Sequence, residues 1–433
     1  MKHAAFRAMS FPFVSVALVF MVVALGVFLR GIPREIDIDS YPYQAMAQGR
    51  ISEVVQPYAN RVLHPFMVHA IARLGVHDIG FIFAGIAVAS FFIFAFSIVS
   101  LVGNRLPPLG VAAMLCSPVL CLYCVNIYLP DLFYMAQWGL LLLLINRQQV
   151  FLGAVLLFLM QLTRESTAVL AVIIIVAAVC KQKWKWAFAS GAAVLCGMAA
   201  VSWLAREAQP NIHGLNGIFY MGSKAFANAA ANILGVSAWT DSYARQLPHM
   251  YPEAPVWKMV LPAWLSSGGV KEIGVYPFNP MAPVQTAVIV LSTFGILPVL
   301  LFHYVKTAGW RQIKKLPFPL LVPFIAGLAF YFLGPVSGRS VERLVGYGWP
   351  VFWVALPLLY FSDKRLQLEN EASSSKNITL LWLTQIACQW TPILVSRANT
   401  PWGCVVSLVA IAICYCYAWK QLSSNNFRME LQS

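Results

Sequence analysis

Acids and guanidinium groups recur at short polar turns of a chain that is otherwise apolar. Asp39 precedes Tyr43 by four residues in Asp39-Ser-Tyr-Pro-Tyr43, a spacing that sets both side chains on one helix face. Asp37 lies two residues earlier. Further along come Arg61 and His64 in Asn60-Arg-Val-Leu-His-Pro65, Asp131 after Pro130, the pair Arg164-Glu165, and Gly338-Arg-Ser-Val-Glu-Arg343, which carries Arg339, Glu342 and Arg343. A single carboxylate suits removal of a proton from an attacking hydroxyl. Guanidinium groups suit a departing phosphate, because they bind its oxygens in pairs. The set therefore fits transfer of a sugar from a lipid-linked phosphate to a hydroxyl, a reaction whose leaving group needs no general acid. Asp39 is the expected base, with Asp37 as the other candidate or as its support. Arg61, Arg164, Arg339 and Arg343 are the expected phosphate ligands, and Tyr43, His64, Asp131, Glu165 and Glu342 the expected substrate contacts.

Each of these residues also has a plainer use. Asp39 and Asp131 can cap the helices that follow them, Arg61 and His64 can fix their segment through Glu53 or backbone carbonyls, and Arg164 can pair with its neighbour Glu165. The seven histidines show no zinc spacing, so no metal site is expected, although Asp37 and Asp39 could hold a divalent cation weakly. No cofactor is expected, since Gly-rich phosphate loops and a Ser-His-Asp arrangement are missing from the sequence. Cys121-x-x-Cys124 has no histidine nearby and reads as packing.

The elements that must position these groups are membrane helices. Hydrophobic residues make up 60% of the 433 and charged ones only 11%, which places the chain among polytopic membrane proteins. Apolar runs near 11–30, 80–102, 109–125, 132–145, 150–163, 166–180, 187–204, 283–304, 316–334, 347–361, 378–395 and 402–418 predict an all-α bundle of about twelve spans. With a cytoplasmic N-terminus, the short inside loops and both tails hold 16 bases and 4 acids, against 14 bases and 12 acids outside. That is the positive-inside pattern. It accounts for the net charge of +14 without nucleic acid, and it puts the candidate residues on one outer face. We read a single membrane domain, 1–433, with two periplasmic loops: 31–79, which carries the catalytic segment and a helix suited to the membrane interface, and 205–282, rich in Trp and Tyr of the kind that lines that interface.

The order of these features resembles the GT-C class of integral-membrane glycosyltransferases, including relatives of the lipid A aminoarabinose and protein mannosyl transferases. The similar parts are a first span followed by an outer loop with Asp39 and Tyr43, interface helices in that loop, Arg61-Val-Leu-His-Pro65, Arg164-Glu165, and Arg343 before a span containing Pro350. The resemblance implies a polyprenyl-phosphate-linked sugar donor, inversion at the anomeric carbon, catalysis by the first-loop acid, here Asp39, and a glycan or lipid acceptor. The implied location is the bacterial inner membrane, in contact with its lipid and with both termini cytoplasmic. Two departures stand out. Ser40 follows Asp39 where many relatives have Glu, and no soluble domain follows the spans, which leaves acceptor recognition to 205–282. The alternatives are an O-antigen-type polymerase or ligase, whose mark would be Arg and His in the large outer loop, and a multi-pass transporter or lipid flippase, whose charges would spread through mid-span.

Overall fold

The computed structural model describes residues 39–76, 78–102, 106, 108–209, 217–240, 257–260, 262, 272–277, 279–338, 340–360, 373–396 and 400–423. The expected first span, 11–30, lies outside the described residues, as do Asp37 and Arg339. Elsewhere helix dominates, as a chain facing lipid requires: where water cannot reach, each peptide group must be satisfied within its own helix.

The first loop folds into α1 (Tyr41–Ala47), two single 3-10 turns, and α2 (Leu63–Arg73). The helices α3 (Ile79–Val102), α4 (Pro108–Leu115), α5 (Pro118–Val125), α6 (Asp131–Asn146), α7 (Val150–Thr163), α8 (Thr167–Cys180) and α9 (Trp184–Leu204) follow. In the large loop, α10 (Gly217–Ala229) runs into a π-helical turn, Ala230–Leu234, and then a small sheet. The chain closes with α11 (Ala282–Ser292), α12 (Leu297–Lys315), α13 (Phe318–Ser337), α14 (Val341–Val345), α15 (Leu356–Tyr360), α16 (Ser373–Ser396) and α17 (Pro401–Ser423).

Not every apolar run is one straight span. Among the described residues, α3, α9, α13 and α17 are each long and apolar enough to cross a membrane, and α11 with α12 forms a fifth candidate bent by 72°. The helices α6, α7 and α8 are apolar but shorter. The run 109–125 is divided between α4 and α5, where Pro118 opens the second helix and Ser117 caps it by accepting from the Leu120 N–H. The run 347–361 is divided into a 3-10 turn, a π-helical turn over Pro350–Ala355 and α15. At the α11–α12 bend the freed backbone groups are taken by α16: Gln385 accepts from Ile296 N–H at 2.7 Å and donates to the Phe294 carbonyl at 3.0 Å.

The all-α expectation omits one feature, the antiparallel sheet in the large loop. Its order is β1 (Val236–Thr240), β3 (Glu272–Pro277), β2 (Trp257–Val260). Strands this short, far apart in sequence, accumulate no period-2 signal.

One large apolar core joins the spans, and a smaller one, containing Tyr43, Met46, Val54, Val68, Phe83 and Leu129, holds the first loop down on the bundle. That loop is also tied to the large one by backbone bonds, Gln56 N–H to Gln209 C=O and Gln209 N–H to Val54 C=O. Close approach of α13 to the segment after it depends on glycine. A Cβ at Gly334 would lie 2.6 Å from Val345 Cγ2, and one at Gly327 would collide with the backbone nitrogen of Val351. Small residues allow backbones to pack this tightly between membrane helices. The Asn232 side chain, in the π-helical turn, donates to the carbonyls of Pro335 (2.7 Å) and Gly338 (2.9 Å), fixing the end of α13 just before the turn that carries Arg343.

Candidate active site

Four separate parts of the chain meet at one end of the bundle: the first loop, the start of α6, the α7–α8 turn and α14. Asp39 stands one residue before Ser40, the N-cap of α1, so it does not cap that helix. Its Oδ1 accepts from the Tyr58 hydroxyl at 2.5 Å, and its Oδ2 lies 3.8 Å from Arg343 Nη1. About 35% of the Asp39 side chain remains exposed.

Arg61, in the turn before α2, is buried and fully engaged. Its Nε and Nη2 donate to the two carboxylate oxygens of Glu165 at 2.8 and 2.5 Å, and its Nη1 donates to the Tyr43 hydroxyl at 2.8 Å. This fork geometry matches two guanidinium N–H groups to one carboxylate. Burial alone would raise the Glu165 carboxyl, but the Arg61 guanidinium against it, with Arg164 beyond, holds it well below the usual carboxylate range. Glu165 therefore pairs with Arg61 across the bundle, and the expected pairing of Arg164 with its neighbour gives way to a different partner.

That partner is Asp131. Arg164 donates to Asp131 Oδ1 and to the Tyr347 hydroxyl, Tyr347 in turn donates to Asp131 Oδ1, and the guanidinium lies 4.7 Å from the centre of the Tyr347 ring. Only 3% of the Asp131 side chain is exposed. The acid sits in the first turn of α6 rather than at its cap, where Pro130 stands, and a negative charge there suits the helix dipole. Arg343 completes the array. Its Nε is 3.7 Å from Asp131 Oδ2, and the Tyr123 hydroxyl donates to its backbone carbonyl. At 3.7 and 3.8 Å from the two acids, Arg343 is attracted to both but is beyond hydrogen-bonding distance of either, and its buried Nε has no hydrogen-bond partner.

His64 does not join the cluster. It is buried between Phe83 (ring centres 5.0 Å apart) and Phe133 (5.5 Å, stacked), and this burial lowers its pKa to about 4 despite the pull of Asp131. Glu342 shares α14 with Arg343 and is half-buried. Among the described residues no group of three or more His, Cys, Asp or Glu gathers to hold a metal ion.

Three residues of the site were not foreseen. Tyr58 and Tyr347 have no sequence mark that separates them from other tyrosines of a membrane protein; both are recognised only by the carboxylates they reach. Lys224, on α10, is lowered by burial and by the positive charge of Arg61, and it also feels Glu165, Arg164 and Asp39. The large loop brings this amine to the same end of the bundle. No family model, curated protein or solved structure matches the chain.

Proposed function

We propose that the chain is an integral-membrane glycosyltransferase that moves a sugar from a polyprenyl-phosphate donor to a glycan or lipid acceptor at the outer face of the bacterial inner membrane. The observation that carries this reading is the meeting of Asp39, an accessible carboxylate, with Arg343, a guanidinium whose Nε has no hydrogen-bond partner. In the proposed step Asp39 takes the proton from the acceptor hydroxyl as its oxygen bonds to the anomeric carbon. The bond from that carbon to the phosphate oxygen breaks, and its electron pair leaves on the phosphate. Arg343 stabilises the charge that develops there. Arg61 acts from behind, since its Nε, Nη1 and Nη2 are all engaged by Glu165 and Tyr43, and Arg164 acts beside it with Nη1 held by Asp131 and Tyr347.

The proposed orientation rests on charge. The opposite end of the bundle gathers the bases Lys181, at the end of α8, and Lys314, near the end of α12, whose carbonyl accepts from Lys181 Nζ at 2.7 Å. Such a basic end suits the cytoplasmic side. The reaction is tested by mass analysis of envelope glycans and lipids from a strain lacking the protein. Loss of a single sugar from one product, restored by the wild-type chain, supports single-sugar transfer. Loss of whole repeat units would favour a polymerase or ligase, and an unchanged envelope would contradict the reading.

A further inference from the structure

One oxygen of the Asp39 carboxylate is already held by a residue that takes no part in the proposed transfer. Tyr58 sits in the 3-10 turn Tyr58–Asn60, 19 residues beyond Asp39, and its hydroxyl donates to Oδ1 at 2.5 Å. Its ring stands edge-on to Tyr43, with centres 6.1 Å apart at 85°, and the Arg61 guanidinium carbon lies 5.9 Å from its centre. Tyr43 and Arg61 are fixed in turn by the bond between them and by Glu165. A rigid frame thus reaches from the α7–α8 turn to one carboxylate oxygen.

We infer that Tyr58 is a positioning residue: by occupying Oδ1 it holds the Asp39 carboxylate in one rotamer, with Oδ2 on the Arg343 side as the oxygen that receives the proton. The inference rests on the reading of Asp39 as the base. Burial and the Asp39 carboxylate both raise the Tyr58 hydroxyl, so it stays a donor at neutral pH. A carboxylate free to rotate would meet the acceptor in the wrong geometry for much of the time, and misplacement of about 1 Å costs on the order of 100-fold in rate.

The test is Tyr58→Phe, which keeps the ring and removes the hydroxyl. Purified variants are supplied with an organic extract of membranes from a strain lacking the protein, which holds the unspent donor, together with acceptor membranes from the same strain. The expected result is a maximal rate lower by roughly 10- to 100-fold, the loss of one hydrogen bond to a charged group, with the amount of extract giving half-maximal rate unchanged. A wild-type maximal rate in Tyr58→Phe, alongside an inactive Asp39→Asn, overturns the positioning role and leaves the base in place. A shift in half-saturation alone also overturns it, because Tyr58 would then be a donor contact. Full activity of Asp39→Asn removes the reading beneath it. A second readout needs no turnover: carbodiimide labelling of Asp39, followed by peptide mass mapping, is expected to be several-fold faster in Tyr58→Phe. Equal labelling rates count against the inference even if the transfer assay gives no product.

Discussion

Arg343 Nη1 lies 3.8 Å from Asp39 Oδ2, close enough for charge attraction and too far for a hydrogen bond. The Nε of the same guanidinium stands 3.7 Å from Asp131 and has no hydrogen-bond partner. In the proposed transfer this guanidinium meets the departing phosphate. Arg343→Ala is expected to slow transfer by about 100- to 1000-fold, the range for losing one donor to a developing negative charge. Arg343→Lys should recover only part, because ammonium is a point charge without the paired geometry. Rates measured against added donor extract check both, and a wild-type rate in the alanine variant would exclude the phosphate role.

Arg164 and Asp131 are a different matter, because their pair is buried. Removing one partner strands the other charge, so Arg164→Ala is expected to destabilise the fold by about 3–5 kcal/mol. Replacing both with apolar residues of similar volume should return most of that stability. Thermal unfolding in detergent tests the pair, and the double variant is expected to fold and still be slow in transfer, since Arg343 loses Asp131 beside it.

Gly334 lets α13 pack against Val345, two residues after Arg343 in α14. Alanine there would place its Cβ 2.6 Å from Val345 Cγ2 and 2.7 Å from the Val345 nitrogen, pressing α14 away from α13. Gly334→Ala is expected to cost about 1–3 kcal/mol through overpacking and to reduce transfer as well. Unfolding and rate measured on the same preparation would show whether the two losses come together.

His64 gives a pH dependence with a definite sign. Its folded pKa is lowered from the usual 6.5 to about 4, so the unfolded chain binds its proton more readily. Stability from this group is complete above pH 6.5 and falls by about 3 kcal/mol as pH drops to 4. His64→Phe keeps the ring between Phe83 and Phe133 and should flatten that part of the curve. Melting temperatures from pH 7 to pH 4 measure the difference; equal slopes in the two proteins would show that His64 does not carry it.

Much of this site was legible as charge placed where lipid does not call for it. Asp39, Arg61, Asp131, Arg164, Glu165 and Arg343 stand out in sequence because each interrupts an apolar chain at a turn. Their pairing was not legible. Arg61 and Glu165 are 104 residues apart, and only the packing of α2 and the α7–α8 turn decides that Arg61 takes Glu165 while Arg164 takes Asp131. Tyr58 carries no local signal at all, because its meaning lies in one hydroxyl reaching one carboxylate. Hydropathy located α3, α9, α13 and α17 in the same way but missed where other apolar runs break. The bend between α11 and α12 depends on Gly295, which adopts a φ of +55°, and on Gln385 from a helix 89 residues away.

The proposed transfer depends most directly on removal of the acceptor proton by the Asp39 carboxylate. Asp39→Asn keeps the side chain's size and takes away its basicity. Purified Asp39→Asn protein, supplied with donor extract and acceptor membranes, is expected to form no sugar-bearing product detectable by mass, while folding and melting like the wild type. Product at the wild-type rate from that variant would show that Asp39 is not the base.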